Sequence, residues 1–269
     1  MRYRTLSSRI ARLAAAISLA LVAVPAGAQA HSPTCPGTGT DSAVSSPVVI
    51  DASIACPDGA PALSVVYAPS VDGIVSLDDK APTGGAPSDH DDLRFTPITP
   101  TGSTPSHVVF GNQTYTLKNV HYHGLAEHKF ASQPGFSPLE AHLVHELDGP
   151  ALGYVVLSVL LNTGDNGWSE HDHLLHEPPS TVGATKNVFA VNLQALLPPP
   201  GSRSYYRYTG SLTTPDANHV YYKPVNWIIF SQYGTATQSH ISGVHDLWGP
   251  NGNKRGLQSN PQPPNIYLK

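Results

Sequence analysis

The sequence predicts a mainly β domain, α+β in class, with long loops and few, short helices. Three observations carry that expectation. Proline and glycine are frequent, 26 and 23 of 269 residues, and they punctuate a chain that turns often. Short β-branched or aromatic runs recur, namely SPVVI, LSVVY, HVVF, YVVLSVLL, HVYY and VNWIIF, each of strand length and strand composition. Apolar residues spaced at the helical period are scarce.

Residues 1–30 stand apart from the predicted domain. MRYRTLSSRIAR is a basic lead, LAAAISLALVAV an apolar run, and Ala28-Gln29-Ala30 a small-residue cleavage site, together the pattern of a secretory signal peptide. The folded domain is expected to cover residues 31–269, exported to a periplasmic or extracellular space. No later segment approaches the roughly 20 apolar residues that a membrane span needs. Charged residues make up 13% of the chain and the net charge is −4. With no basic stripe, nucleic acid and anionic membrane surfaces are poor partners, and a small-molecule substrate fits better. The two cysteines, Cys35 and Cys56, both follow the leader, and an oxidising compartment favours their pairing in a disulfide.

Along the domain, residues 78–106 read DDKAPTGGAPSDHDDLRFTPITPTGSTPS, a composition that predicts a long surface loop. SEHDHLLHE (169–177), with serine at its start, and NVFAVNLQALLP (187–198), ending at proline, predict short helices. The tail from Pro250 is polar and rich in glycine and proline, so irregular chain is expected there. No internal repeat is found.

The chemistry concentrates in VHYHGLAEHKF (120–130) and EAHLVHE (140–146). On a strand, side chains alternate, so Asn119, His121 and His123 share one face. On a second strand Glu140, His142 and Val144 share a face, while His145 points away. Three neutral imidazoles suit Zn²⁺, which keeps its fourth position open in catalytic sites, whereas structural sites close with ligands that are commonly cysteine. No cysteine lies near. His121-x-His123-x-x-x-Glu127 also fits the first motif of cupin barrels, but Tyr115 stands where that family places glycine and no second motif follows. HDHLLH (171–176) reads as a solvated polar helix end rather than a second metal site, because His173 and His176 are helical neighbours while His171 faces elsewhere.

NVHYHGLAEH, Glu140-Ala-His142-Leu-Val-His145, YRYTGSLTTP (206–215), VNW and NKRGLQ follow one another in this order. That set resembles the α-type carbonic anhydrases, from about residue 46 to 258. The resemblance implies a single domain on a large, twisted, mostly antiparallel sheet of about ten strands. It implies zinc on His121, His123 and His142, and reversible hydration of carbon dioxide to bicarbonate and a proton by zinc-bound hydroxide. Thr213 matches the gatekeeper that donates to the Glu127 carboxylate. Glu140 and Asn119 match the groups that orient His142 and His121, although Asn119 replaces a glutamine and is one methylene shorter. Val144, Val156, Leu212, Thr214 and Trp227 match the substrate pocket, and His128 and His145 become structural. A carbonic-anhydrase-like binding module without activity is the alternative, and its usual mark is a lost histidine ligand.

Departures from the family are also legible. HSPTCPGTGTDSAV lacks the aromatic lead-in, and Ser45-Ser46-Pro47-Val48 replaces its QSPI. No cysteine occurs at 214–226, so the disulfide is local. The stretch 215–225 is long, with Asp216 for a common proline. The shuttle histidine has no counterpart: Val71-Asp72-Gly73-Ile74 puts Ile74 in its place, with His90 and His107 as possible substitutes.

Overall fold

The computed structural model describes residue 35 and residues 42–57, 61–78, 92–164, 167–215, 220–249 and 252–269. The leader at 1–30 and His90 lie outside them. The chain contributes fifteen strands among the described residues. The first half gives β1 (Val49–Ile50), β2 (Cys56–Pro57), β3 (Leu63–Val66), β4 (Val71–Asp78), β5 (Asp92–Pro97), β6 (His107–Phe110) and β7 (Gln113–Gly124). The second half gives β8 (Lys129–Phe130), β9 (Leu139–Leu147), β10 (Tyr154–Thr163), β11 (Thr185–Val191), β12 (Tyr205–Gly210), β13 (Val225–Phe230), β14 (Gly234–Ala236) and β15 (Tyr267–Leu268). Two helices, α1 (Glu170–Leu175) and α2 (Gln238–Trp248), lie among them.

Thirteen strands form one sheet whose main path runs β11-β4-β5-β7-β9-β10-β13-β12-β15-β2. Most neighbours are antiparallel, as expected. The pairs β10–β13, β10–β14 and β15–β2 are parallel.

The alternation of strand side chains divides the apolar residues between two sides of this sheet. Val155, Leu157, Val159, Ile228 and Phe230 join the larger cluster, while Val156, Leu160, Val225, Trp227 and Ile229 join the smaller. Central strands covered on both faces must be apolar at nearly every position, which is why YVVLSVLL and VNWIIF read as continuous runs. Leu174, Leu175, Ile241 and Val244 bring α1 and α2 onto the larger cluster. The histidine-bearing face lies on the other side.

Several expectations are corrected. The predicted loop at 78–106 contains β5, whose Leu93 and Phe95 are each only 1% exposed. Two apolar residues among aspartates and prolines are a faint period-2 signal. NVFAVNLQALLP is not a helix: its first part is the end of β11, paired to β4, and a 3-10 turn, Leu193–Leu196, follows. β-Branched Val188 and Val191 fill the sheet's larger core, and Ala190 at φ 55° breaks the register between them. The helix at SEHDHLLHE forms, with Ser169 and Asp172 making a capping box. α2 was not foreseen, because only Ile241 and Val244 of its eleven residues are buried. From Gly252 the tail is irregular as far as Ile266, but β15 then buries Tyr267 between β12 and β2.

Cys35 and Cys56 form a disulfide with Cα atoms 5.6 Å apart. Ile74 lies within β4, paired with Thr96 and Asn187, and its aliphatic side chain offers no proton relay.

Candidate metal centre

Register brings the three histidines together. β7 pairs with β9 so that His121 faces His142 and His123 faces Glu140. His121 and His123 stand two residues apart on one face, and their ring centroids are 5.2 Å and 4.6 Å from that of His142. One nitrogen of each lies within 4.8 Å of the others, and all three residues are buried. His121 Nε2 lies 3.3 Å from His142 Nδ1.

Hydrogen bonds behind the rings select the inward nitrogens. His121 Nδ1–H donates to Asn119 Oδ1 at 2.8 Å, which turns Nε2 inward. The shorter asparagine therefore reaches, contrary to the reservation drawn from its length. His142 Nε2–H donates to Glu140 Oε1 at 2.7 Å, which turns Nδ1 inward. Glu140 Oε1 also accepts from His128 Nδ1 at 2.8 Å and Ser158 Oγ at 2.6 Å. Its Oε2 accepts from the backbone N–H groups of Glu127 and His128, each at 2.7 Å. Burial pushes the Glu140 carboxyl up, but the imidazoles of His128 and His142 outweigh it and hold it well below the usual carboxylate range. Glu140, His128 and His142 are also close enough to hold an ion, yet the atoms that bring them together already share hydrogen bonds. That trio is a support, not a second centre.

Burial lowers the affinity of His121 and His142 for a proton, and Asp92 and Glu140 offset this only in part. Both rings are neutral near pH 7, the form that ligates a metal. Both ring nitrogens of His123 are buried without a hydrogen-bond partner. Such groups are costly to leave unsatisfied, and a metal ion at the shared point would satisfy one of them. The donor set fits a borderline divalent cation, with three imidazoles and no thiolate.

Glu127 is 1% exposed, and its Oε1 accepts from the backbone N–H of Arg255 at 2.7 Å. Its Oε2 has no partner and lies 3.6 Å from His123 Nε2. The expected hydrogen bond from Thr213 to this carboxylate is thus not formed here. Thr213 and Glu127 nonetheless line one cavity of about 220 Å³, together with His123 and Asp92.

A second cavity of about 330 Å³, sharing Asp92, Thr213 and Thr214 with the first, adjoins His121 and His142. Val144, Val156, Leu212, Thr213, Thr214 and Trp227 line it beside His121 and His142, so every residue matched to the pocket is present. Trp227 is held by its indole N–H, which donates to Ser211 O at 2.9 Å.

His128 and His145 are occupied elsewhere. Tyr208 Oη lies 2.7 Å from His128 Nε2. His145 Nδ1–H donates to Val155 O at 3.2 Å, and Tyr67 donates to its Nε2 at 2.7 Å. His107, the first residue of β6, has its Nδ1 2.9 Å from Pro105 O and lines neither cavity. Three contributors escaped the sequence reading. Asp92 and Arg94 line the pocket from β5, joined at 2.7 Å, and Ser158 reaches Glu140 from β10. Their only signal was the faint one for β5 and the polar interruption in YVVLSVLL.

A family model for the eukaryotic-type carbonic anhydrases matches residues 96–265. "Alpha carbonic anhydrase 7" of Arabidopsis thaliana is 30% identical over 148 residues, 54% of this chain and 50% of that protein. A carbonic anhydrase of Pectobacterium carotovorum is 29% identical over 136 residues, 50% and 51% of the two. The chain thus spans about half the length of the curated relatives it matches. The solved α-carbonic anhydrase of Thermovibrio ammonificans, in complex with the inhibitor sulfanilamide, superposes with a TM-score of 0.65 at 23% identity. That match covers 84% of this chain and 86% of that one.

Proposed function

This chain belongs to the eukaryotic-type carbonic anhydrase family, and on that premise we propose that it hydrates carbon dioxide reversibly to bicarbonate and a proton, using zinc held by His121, His123 and His142. The carrying observation is the convergence of three buried imidazoles beside an apolar cavity.

Bound zinc supplies one thing, a water whose pKa falls to about 7, the value known for carbonic anhydrase itself. The chain does the rest. Asn119 and Glu140 fix the tautomers of His121 and His142 and raise their basicity. Val144, Val156, Leu212 and Trp227 give an uncharged, weakly polar substrate a dry wall, for which few directed contacts are needed. Arg255 N–H fixes one oxygen of Glu127 and leaves Oε2 to accept from Thr213 in the working site. With its proton committed to Glu127, the Thr213 hydroxyl has only lone pairs to offer the reacting position. Anions that carry no proton are thereby disfavoured.

Export is part of the same proposal. The Cys35–Cys56 disulfide supports an oxidising compartment, and the leader pattern at 1–30 supports secretion. Among the described residues no helix is long and apolar enough to cross a membrane. Zinc-loaded protein is expected to hydrate CO₂ in a stopped-flow assay, and His121→Ala to lose both zinc and activity. A zinc-replete protein with no hydration above buffer would favour the binding-module alternative.

A further inference from the structure

The sequence set aside HDHLLH as a polar helix end, but the fold adds a partner that no local pattern shows. His176, at the C-terminal cap of α1, meets His240 from the first turn of α2, with His176 Nδ1 3.4 Å from His240 Nε2. Two nitrogens bound at 2.0–2.1 Å in a tetrahedral arrangement lie roughly 3.3 Å apart. The spacing also matches the 3.3 Å between His121 and His142 at the first centre.

The support behind His240 repeats the logic of the first centre as well. Its Nδ1 lies 2.7 Å from Asp172 Oδ1, a carboxylate with 0% side-chain exposure. Oδ1 also accepts from Thr237 N–H at 2.7 Å and Thr237 Oγ1 at 2.9 Å, while Oδ2 accepts from Ser169 N–H and Oγ, each at 2.8 Å. The Asp172 carboxylate accepts at this contact, so His240 donates from Nδ1 and keeps its lone pair on Nε2, 3.4 Å from His176 Nδ1. This is the carboxylate–histidine arrangement that backs metal-ligating imidazoles.

His176 is the accessible half, with 42% side-chain exposure against 12% for His240. Lys186 Nζ holds its carbonyl at 2.8 Å. Its Nε2 is 3.9 Å from Glu177 Oε1, and Glu177 adopts φ 44° directly after it. The N-terminal end of α2 and the Lys186 ammonium oppose a cation here, and the carboxylates of Asp172 and Glu177 offset them. Trp168, 62% exposed, packs its ring 4.7 Å from that of His176 and 5.2 Å from that of His240.

We propose that His176 and His240 form a second, solvent-accessible site for a borderline divalent d-block cation such as Zn²⁺ or Cu²⁺, with water completing its coordination. Imidazole suits these ions, and Cu²⁺ binds most tightly in the general order of affinities. The site ties the end of α1 to the start of α2 and is independent of the first centre.

Equilibrium dialysis of the full chain against micromolar free zinc, followed by metal analysis, tests the assignment. Two zinc ions per chain are expected, and one each in His176→Gln and His240→Gln, with CO₂ hydration unchanged in both. Cu²⁺ added to the zinc-loaded protein should quench an emission component that Trp168→Phe removes. His176→Gln should raise the copper concentration needed by at least about tenfold, the loss associated with one supporting or ligating group. One zinc per wild-type chain, or two in the double variant His176→Gln/His240→Gln, overturns the proposal. Circular dichroism of the variants separates loss of the site from loss of the fold.

Discussion

Glu140 collects five hydrogen bonds at 2.6 to 2.8 Å, from two backbone amides, two imidazoles and a serine. No comparable convergence falls on Asn119, which supports His121 alone. Asn119→Ala is accordingly expected to keep the fold and weaken zinc roughly 10- to 100-fold, as supporting-group losses do. Competition with a chelator measures this, and unchanged zinc affinity would show that the Asn119 contact does not matter. Thr213→Ala is expected to keep zinc but lower kcat/KM by about 10²- to 10³-fold, the usual consequence of losing one oriented hydrogen-bonding group. A rate within twofold of wild type would remove Thr213 from the mechanism. At this scale the convergence of three histidines was legible, because strand alternation places His121 and His123 together and a second Glu-x-His strand supplies His142. Asp92 was not, since its burial depends on β5, which is hidden among loop-forming residues.

The elements around the site are held by the chain's tail. Asn253 accepts from Gly124 N–H at 3.0 Å, donates its own N–H to Gly124 O at 3.0 Å, and reaches Tyr122 O at 3.2 Å. Gly252, at φ 62°, lies against Gly124 where a Cβ would collide with backbone. NKRGLQ is therefore a clamp on the end of β7, and that physical role was not visible in a polar hexapeptide. Asn253→Ala leaves buried backbone groups of β7 unpaired and should destabilise by about 1 to 3 kcal/mol in denaturant melts. A variant as stable as wild type would dismiss the clamp.

β9 carries a pH dependence on its other face. Burial lowers His145 from 6.5 to about 3, so the unfolded chain binds the proton that the folded chain refuses. Stability contributed by this neutral ring is intact above pH 6.5 and falls as pH drops towards 3, by about 1.4 kcal/mol per unit. His145→Gln should flatten that acid limb in urea melts at pH 7, 6 and 5, whatever its effect at pH 7. An unaltered slope would refute the assignment to His145. The failed helix at 187–198 and the missed α2 have different causes. Sheet pairing with β4 overrides local helical preference in the first, and two buried residues in eleven give the second almost no period.

For the whole molecule, the proposed turnover has to release a proton as well as form bicarbonate. Ile74 sits within the sheet and His107 lines neither cavity, while His90 lies outside the described residues. We therefore predict that kcat at low buffer rises with added imidazole-type buffer while kcat/KM stays nearly constant, since imidazole titrates in the useful range. Buffer-independent kcat that becomes buffer-dependent in His90→Ala would assign the relay to His90 instead. The overall architecture was legible because ordered motifs spanned most of the domain. The pairing of His176 with His240 was not, because 64 residues separate them and only the packing of α1 beside α2 joins them.

The most direct test of the central claim is the pH profile of kcat/KM for CO₂ hydration by the zinc-loaded chain. Zinc on three neutral imidazoles predicts a rise governed by one ionisation near pH 7, present in wild type and absent in His142→Ala. No hydration above buffer at any pH from 6 to 9, or a full profile in His142→Ala, would contradict it.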